Sequence, residues 1–316
     1  MDIQYLLFLQ DFRNGINDAL TPFMEWISHF AVVYLLALPA IVYWCIDKKK
    51  GLYIYASLLS ARMINAVIKL TACCYRPWIR DSRVIPAGDA MTEATGYSFP
   101  SGHTVTATPI YGGVAVAFGK KKKWLAAICI LLVLITGFSR NYLGVHTPQD
   151  VVVATLEGVL VLWGMYKLFH YLEEHPEKEN LFLLAGVVIT IVALVYITVK
   201  SYPMDYVNGE LLVDPKKMMQ DGYKDISTFG AFCIARYIEK NYIRFRATGV
   251  NAKGIALTVV GTGLMMVISS VLKPALKTAL NSTLGKTLGQ VILVVFVVAI
   301  WPAILKFIFA YGAESD

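Results

Sequence analysis

The chain has 316 residues, 57% hydrophobic and 16% charged, where soluble domains carry about 45–50% apolar and about 25% charged residues. A mean hydropathy of +0.57 and apolar stretches of about 20 residues exclude a soluble globular enzyme, because such stretches cross a hydrocarbon core about 30 Å thick as helices. The formal charge of +7 sits on basic residues interleaved with apolar spans, so it reports membrane topology, and no nucleic-acid partner is expected.

In chain order, residues 1–23 mix Leu6, Leu7, Phe8 and Leu9 with Asp11, Arg13 and Asp18, the pattern of a helix lying in the membrane interface. The first 22 residues lack a basic leader region and a small-residue cleavage site, so the first span is expected to serve as the export signal. Nine apolar segments follow, at 24–46, 51–74, 101–118, 124–138, 150–170, 181–199, 223–239, 254–272 and 287–309. The third and fourth are short and the seventh carries Arg236, so eight or ten spans are the alternatives to nine. The expectation is an all-α polytopic membrane helix bundle without internal repeats. It is divided into an interfacial segment 1–23, a six-span core 24–199 and a C-terminal extension 200–316 with about three spans. Five scattered cysteines give no disulfide or metal framework, and the adjacent Cys73 and Cys74 read as small packing residues of a helix.

Orientation rests on two short lysine clusters, Lys48–Lys50 and Lys120–Lys123, which favour the cytoplasmic side. The N-terminus is then outside, and the loops 75–100, 140–149, 200–222 and 273–286 gather on the outer face. Three groups of polar residues lie at that face. Lys69 and Arg76, with Pro77 behind them, stand seven residues apart, about two helical turns, and therefore project from one side of the second span. Pro77 is expected to push Arg76 into extended geometry and to end the helix there. Ser101-Gly102-His103 opens the third span. Ser101 is the expected N-cap, Gly102 lets backbone N–H groups approach an anion, and His103 can exchange a proton with a phosphate ester. Arg140, His146 and Asp150 follow around the start of the fifth span, with Thr147 as N-cap and Pro148 as first helical residue. Asp150 can reach a ring nitrogen of His146 and fix its tautomer, the logic of an activated nucleophile.

Each group has a plainer reading by itself: Lys69 snorkelling and Arg76 flanking a span, an ordinary capped helix, helix capping by Asp150. Their convergence on one face argues for a phosphate-like ligand, because so many cations and helix N-termini are otherwise costly to assemble.

Lys69-x6-Arg76-Pro77, Pro100-Ser101-Gly102-His103 and Ser139-Arg140-x5-His146-x3-Asp150 together resemble the three-part signature of the type 2 phosphatidic acid phosphatase superfamily over about residues 24–199. The resemblance implies that His146 takes the phosphoryl group as phosphohistidine, that Asp150 orients it and that His103 protonates the leaving oxygen. It also implies that Lys69, Arg76, Ser101, Gly102 and Arg140 hold the phosphate oxygens. No metal or cofactor is implied. The expected substrate is a lipid phosphate or polyprenyl diphosphate met at the outer face of the plasma membrane. The alternatives are a sugar phosphate, as in glucose-6-phosphatase, phosphoryl transfer to a lipid or sugar acceptor, and a non-enzymatic phosphate-binding transporter or scaffold.

The 75–100 loop is expected to form a lid or entry lip, with Asp89 or Glu93 as gates and Asp81 solvated. In the extension, Arg236, Lys240, Arg244 and Arg246 read as an anchor to anionic lipid. Gly261 and Gly263 read as sites of close helix contact, and the last three spans as a homo-oligomer surface, a substrate channel or packing for the core.

Overall fold

The computed structural model describes residues 2–94, 96–207 and 209–313. It is helical almost throughout, and the strands among the described residues are Tyr206–Val207 and Glu210–Leu211, paired antiparallel. Among the described residues, six segments are long and apolar enough to cross a membrane: Lys48–Arg80, Lys123–Tyr142, Pro148–Glu174, Pro176–Val199, Ala252–Ala279 and Ser282–Phe309. The all-α membrane bundle is therefore the architecture. Each of the six coincides with one of the nine anticipated apolar segments.

The other three segments are helical too, and each departs from a simple span for a visible reason. The first is broken into the helix Thr21–His29, a π-helical turn Phe30–Tyr34, a 3-10 turn, the short helix Leu38–Ile41 and a second π-helical turn Val42–Ile46. Pro39 stands in this run, where it supplies no N–H to a preceding turn. The third is the helix Gly102–Phe118, 17 residues with Pro109 inside, roughly 25 Å long at 1.5 Å per residue. The seventh, Pro215–Ile238, carries Asp221, Lys224, Asp225 and Arg236 along its length.

The chain divides into two compact units, each assembled from three stretches. The first contains Met1–Leu36, Ile64–Gly164 and Ile197–Met219. Its N-terminal helix Asp2–Gly15 buries Leu6, Leu9 and Arg13 and leaves Phe8 and Phe12 exposed. The Arg13 guanidinium donates to the carbonyls of Ile85 at 2.9 Å and Tyr142 at 3.3 Å, tying the helix to the 81–89 loop and to the end of the Lys123–Tyr142 helix. A buried cluster of Met24, Ile27, Ala87, Ala90, Ala94, Tyr142, Leu143 and Val145 joins the Thr21 helix to the 81–94 loop and the turn after the Lys123 helix. Glycines set the closest approaches. A Cβ on Gly158 would lie 2.7 Å from Thr108, and one on Gly137 would lie 2.7 Å from Val151. The Gly102, Lys123 and Pro148 helices thus converge tightly through small residues, as membrane helices do where dispersion drives association.

The second unit contains Ala37–Met63, Met165–Tyr196 and Gln220–Asp316. Here Glu239 is fully buried and accepts from Lys48 Nζ at 2.6 Å and from the backbone N–H of Phe245 at 3.1 Å. Arg236 pairs with this same carboxylate and, at 2.8 Å, with Glu179, while Lys240 lies 3.2 Å from Glu179. Arg236 and Lys240 therefore serve internal ion pairs, which corrects their reading as a lipid anchor. Gly261 does permit close contact, since its Cβ would lie 2.5 Å from the Trp301 indole nitrogen, whereas Gly263 faces open space.

Candidate active site

The start of the Pro148–Glu174 helix is built by a reciprocal capping box. The Asp150 carboxylate accepts from the Thr147 backbone N–H at 2.8 Å, and the Thr147 hydroxyl accepts from the Asp150 N–H at 3.4 Å, satisfying donors that a helix N-terminus leaves open. The preceding turn folds back onto its own helix. The carbonyl of Arg140 accepts from the N–H groups of Val145 and His146, the Asn141 amide donates to the His146 carbonyl at 2.9 Å, and Gly144 takes φ +72°. Six residues therefore suffice to return His146 to the end of the helix that carries Arg140.

Asp150 Oδ2 also lies 3.3 Å from His146 Nδ1 and accepts from the Ser98 hydroxyl at 2.6 Å. On the other side of the ring, His146 Nε2 lies 2.9 Å from Arg76 Nη1. A guanidinium can only donate, so Nε2 must offer its lone pair and the proton resides on Nδ1, facing the carboxylate. Helix capping and histidine orientation by Asp150 thus coexist. His146 is 2% exposed. Burial first, and then the Arg76 charge, hold its imidazole well below the usual histidine range, with Asp150 pulling the opposite way. The ring is neutral at neutral pH, with the lone pair of Nε2 facing a cation.

Arg76 reaches that nitrogen by a route the spacing did not predict. The Lys48–Ala72 helix stops at Ala72, and Cys73 takes the left-handed conformation at φ +49°, as helix-terminating residues often do. Cys73 and the exposed Cys74 thus lie in the turn beyond the helix, not in its packing. Lys69 and Arg76 consequently do not share one helical face. Pro77 opens a short helix instead, and Arg76 is extended ahead of it with ψ 152°, as a residue before proline should be. The Arg76 side chain is buried, donates to the carbonyls of Gly96 at 3.1 Å and Val145 at 2.9 Å, and stacks over Trp78.

Lys69 donates to the carbonyls of Tyr97, Ser98 and Pro100. Its ammonium holds the strand of chain leading into the Gly102–Phe118 helix, and its charge stays beside that helix start. Ser101 is the N-cap, accepting from the Thr104 N–H at 3.4 Å, and its own N–H donates to the carbonyl of Asp150 at 3.0 Å. The second and third motifs are thereby joined through the backbone. Nothing lies within 4 Å of a Cβ built on Gly102, so packing does not demand a glycine at this helix start. His103 follows in the first turn, half-buried, near the guanidinium groups of Arg140 and Arg76 and the imidazoles of His146 and His29. Arg140 is 1% exposed and donates to the Ser28 hydroxyl at 2.5 Å.

All eight anticipated site residues thus fall in one compact unit. Direct contacts join Arg76, His146 and Asp150, and backbone bonds bring in Ser101. In the 75–100 loop, Asp81 pairs with Arg83 at 2.7 Å, and the Asp89 N–H donates to Glu25. The Glu93 side chain lies outside the described residues. Two further side chains touch site residues and escaped sequence reasoning: Ser98 on Asp150 and Ser28 on Arg140. Among the described residues no three His, Cys, Asp or Glu side chains are grouped as metal ligands.

The family model described as the PAP2 superfamily matches residues 50–174, which contain all three motifs. Bacitracin transport permease protein BcrC of Bacillus licheniformis is 31% identical over 177 residues, covering 53% of this chain and 82% of the relative. Undecaprenyl-diphosphatase BcrC of Bacillus subtilis is 30% identical over 148 residues, covering 46% of this chain and 72% of the relative. Phosphatidylglycerophosphatase B of Escherichia coli K12 is 39% identical over 97 residues, covering 28% of this chain and 36% of the relative. No solved structure matches the chain significantly. The chain belongs to the PAP2 superfamily. It is an integral membrane phosphatase, a hydrolase of phosphate esters.

Proposed function

We propose that the protein hydrolyses a polyprenyl diphosphate or a related lipid phosphate at the outer face of the plasma membrane, through a phosphohistidine on His146. The carrying observation is the pair of contacts on that ring: Nδ1 on Asp150 at 3.3 Å and Nε2 on Arg76 at 2.9 Å. A guanidinium beside the lone pair draws a phosphate oxyanion to the nitrogen that attacks it, and the carboxylate stabilises the positive charge that attack creates on the ring.

In the first half-reaction Nε2 forms a bond to phosphorus as the bond to the leaving oxygen breaks, and His103 gives that oxygen its proton. In the second, His103 takes a proton from water, the hydroxide oxygen bonds phosphorus, and the P–N bond breaks to free His146 and phosphate. Arg76 and Arg140, with the Gly102 N–H and Ser101 at the helix start, hold the equatorial oxygens. Lys69 adds charge and secures the 97–100 segment that sets that helix start. The open space over Gly102 supports close approach of a ligand to the backbone there.

The relative named an undecaprenyl-diphosphatase is covered over 72% of its length, against 36% for the phosphatidylglycerophosphatase, which favours the polyprenyl diphosphate. The outward orientation rests on the lysine clusters at 48–50 and 120–123. The six-span core 24–199 is the proposed catalytic part, with residues 200–316 an addition to it. A phosphate-release panel on purified protein in detergent tests the reading, with polyprenyl diphosphate, phosphatidylglycerol phosphate and glucose 6-phosphate compared in the presence of a chelator. Preferred release from the polyprenyl diphosphate supports it, and release from the sugar phosphate alone overturns it.

A further inference from the structure

The second unit carries a cluster of charge that the catalytic reading leaves unused. Arg62 Nη2 lies 2.8 Å from Asp225, Lys224 Nζ lies 2.9 Å from Asp221 and 3.6 Å from Asp225, and Lys286 Nζ lies 2.8 Å from Asp221. Three cations thus share two carboxylates. A fourth, Lys273, donates at 2.5 Å to the neutral amide oxygen of Gln290, and the charged groups it senses are Lys224 and Arg62. Among the described residues no carboxylate pairs with Lys273, which leaves the cluster a surplus of two positive charges.

The cluster is partly shielded from solvent, and the side chains of Lys286 and Asp221 remain 35% and 43% exposed. Arg62, Lys273, Lys286 and Gln290 all belong to segments apolar enough to cross a membrane. Arg62 stands 14 residues into its helix, roughly 21 Å along the axis from Lys48. The side chains of Arg62 and Asp225 are 24% and 18% exposed. Uncompensated charge in such surroundings is expensive, and intramembrane ionisable groups pair or mark a ligand. The lysine is also placed by its packing, because its stem lies over Gly289, where a Cβ would come within 2.8 Å of Lys273 Cγ. A glycine at that position clears the path that Lys273 takes to Gln290.

We propose that Arg62, Lys224, Lys273 and Lys286 form a second anion site that binds a phosphate group, separate from the histidine site. Ammonium point charges with a guanidinium fork suit a phosphate oxyanion, and its charge would balance the surplus. The source is either a lipid headgroup or free phosphate. This inference rests on the charge count in the second unit and is independent of the His146 chemistry.

The test counts anions bound per chain by the purified full-length protein. The probes are a short-chain lipid phosphonate, which resists hydrolysis, and, separately, inorganic phosphate. Wild type and Lys273→Arg should bind two anions per chain, and Lys273→Met should bind the second at least about tenfold more weakly, the worth of one lost charge contact of about 1.4 kcal/mol. Phosphate release by Lys273→Met should equal wild type. Filling of the second site by inorganic phosphate assigns it to free anion, and filling by the phosphonate lipid alone assigns it to a headgroup. One anion per chain in wild type, unchanged binding in Lys273→Met, or equal displacement of the second anion by chloride at matched ionic strength would overturn the proposal. If Lys273→Met fails to fold, the wild-type and Lys273→Arg counts decide it.

Discussion

Replacing Asp150 by Asn keeps the size of the side chain and removes its charge from a carboxylate oxygen that receives Ser98 at 2.6 Å, the Thr147 N–H at 2.8 Å and His146 Nδ1 at 3.3 Å. In the proposed reaction a full positive charge develops on the His146 ring as Nε2 bonds to phosphorus. At that 3.3 Å separation and an effective dielectric of about 20, a unit charge pair is worth roughly 5 kcal/mol. Losing it slows the step roughly 1,000- to 10,000-fold. The amide also presents N–H groups where the ring needs an acceptor, which favours the wrong tautomer. Because Asp150 contacts the histidine and is assigned no substrate oxygen in the proposed reaction, the loss should fall on kcat while KM moves little. Steady-state phosphate release from a purified Asp150→Asn protein, corrected for folded fraction by thermal unfolding, measures both. A kcat within tenfold of wild type would refute the assignment of Asp150 to the ring charge.

Three smaller perturbations probe neighbouring parts of the account. Ser98→Ala removes a hydrogen bond to a charged acceptor, worth about 1.5–3 kcal/mol, so kcat should drop roughly 10- to 100-fold with KM retained; an unchanged kcat would make Ser98 a bystander. Because burial and Arg76 hold the His146 imidazole below its ordinary range, the neutral nucleophile survives as pH falls. The acid limb of kcat/KM should therefore lie below the unperturbed value of about 6.5. In Arg76→Gln, with the repelling cation gone, that limb should move up in pH; a limb in the same place would contradict the cause assigned. Gly158→Ala puts a methyl 2.7 Å from Thr108, an overpacking that costs about 1–3 kcal/mol, and should lower the melting temperature in detergent, while an unchanged melt would show that the helices part without cost.

Much of the site could be read before folding because its parts are local. Thr147, Pro148 and Asp150 form a capping box within four residues, and Ser101 caps its own helix; both follow from side chains bonding the nearest open backbone donors. The membrane class followed from composition. What escaped was through-space. Ser98 meets Asp150 across 52 residues and Ser28 meets Arg140 across 112, and nothing in their local sequence distinguishes these serines from others. Arg236 looked like a lipid anchor because its partner Glu179 is 57 residues away. The Lys69–Arg76 spacing misled for a different reason: the helix stops at Ala72, and Cys73 takes a left-handed backbone that only its C-terminal setting demands. The interruption of the first apolar segment is partly announced by Pro39, but its π-helical turns carry no comparable signature.

The central claim is that His146 carries the phosphoryl group. Protein quenched in alkali after mixing with substrate labelled in its transferable phosphate, then mapped by mass spectrometry, tests it most directly. The account predicts label on His146, none in His146→Ala, and accumulated label in His103→Ala when the leaving group is activated enough to depart without a proton donor. Sustained turnover by His146→Ala, or label on another side chain, would contradict it.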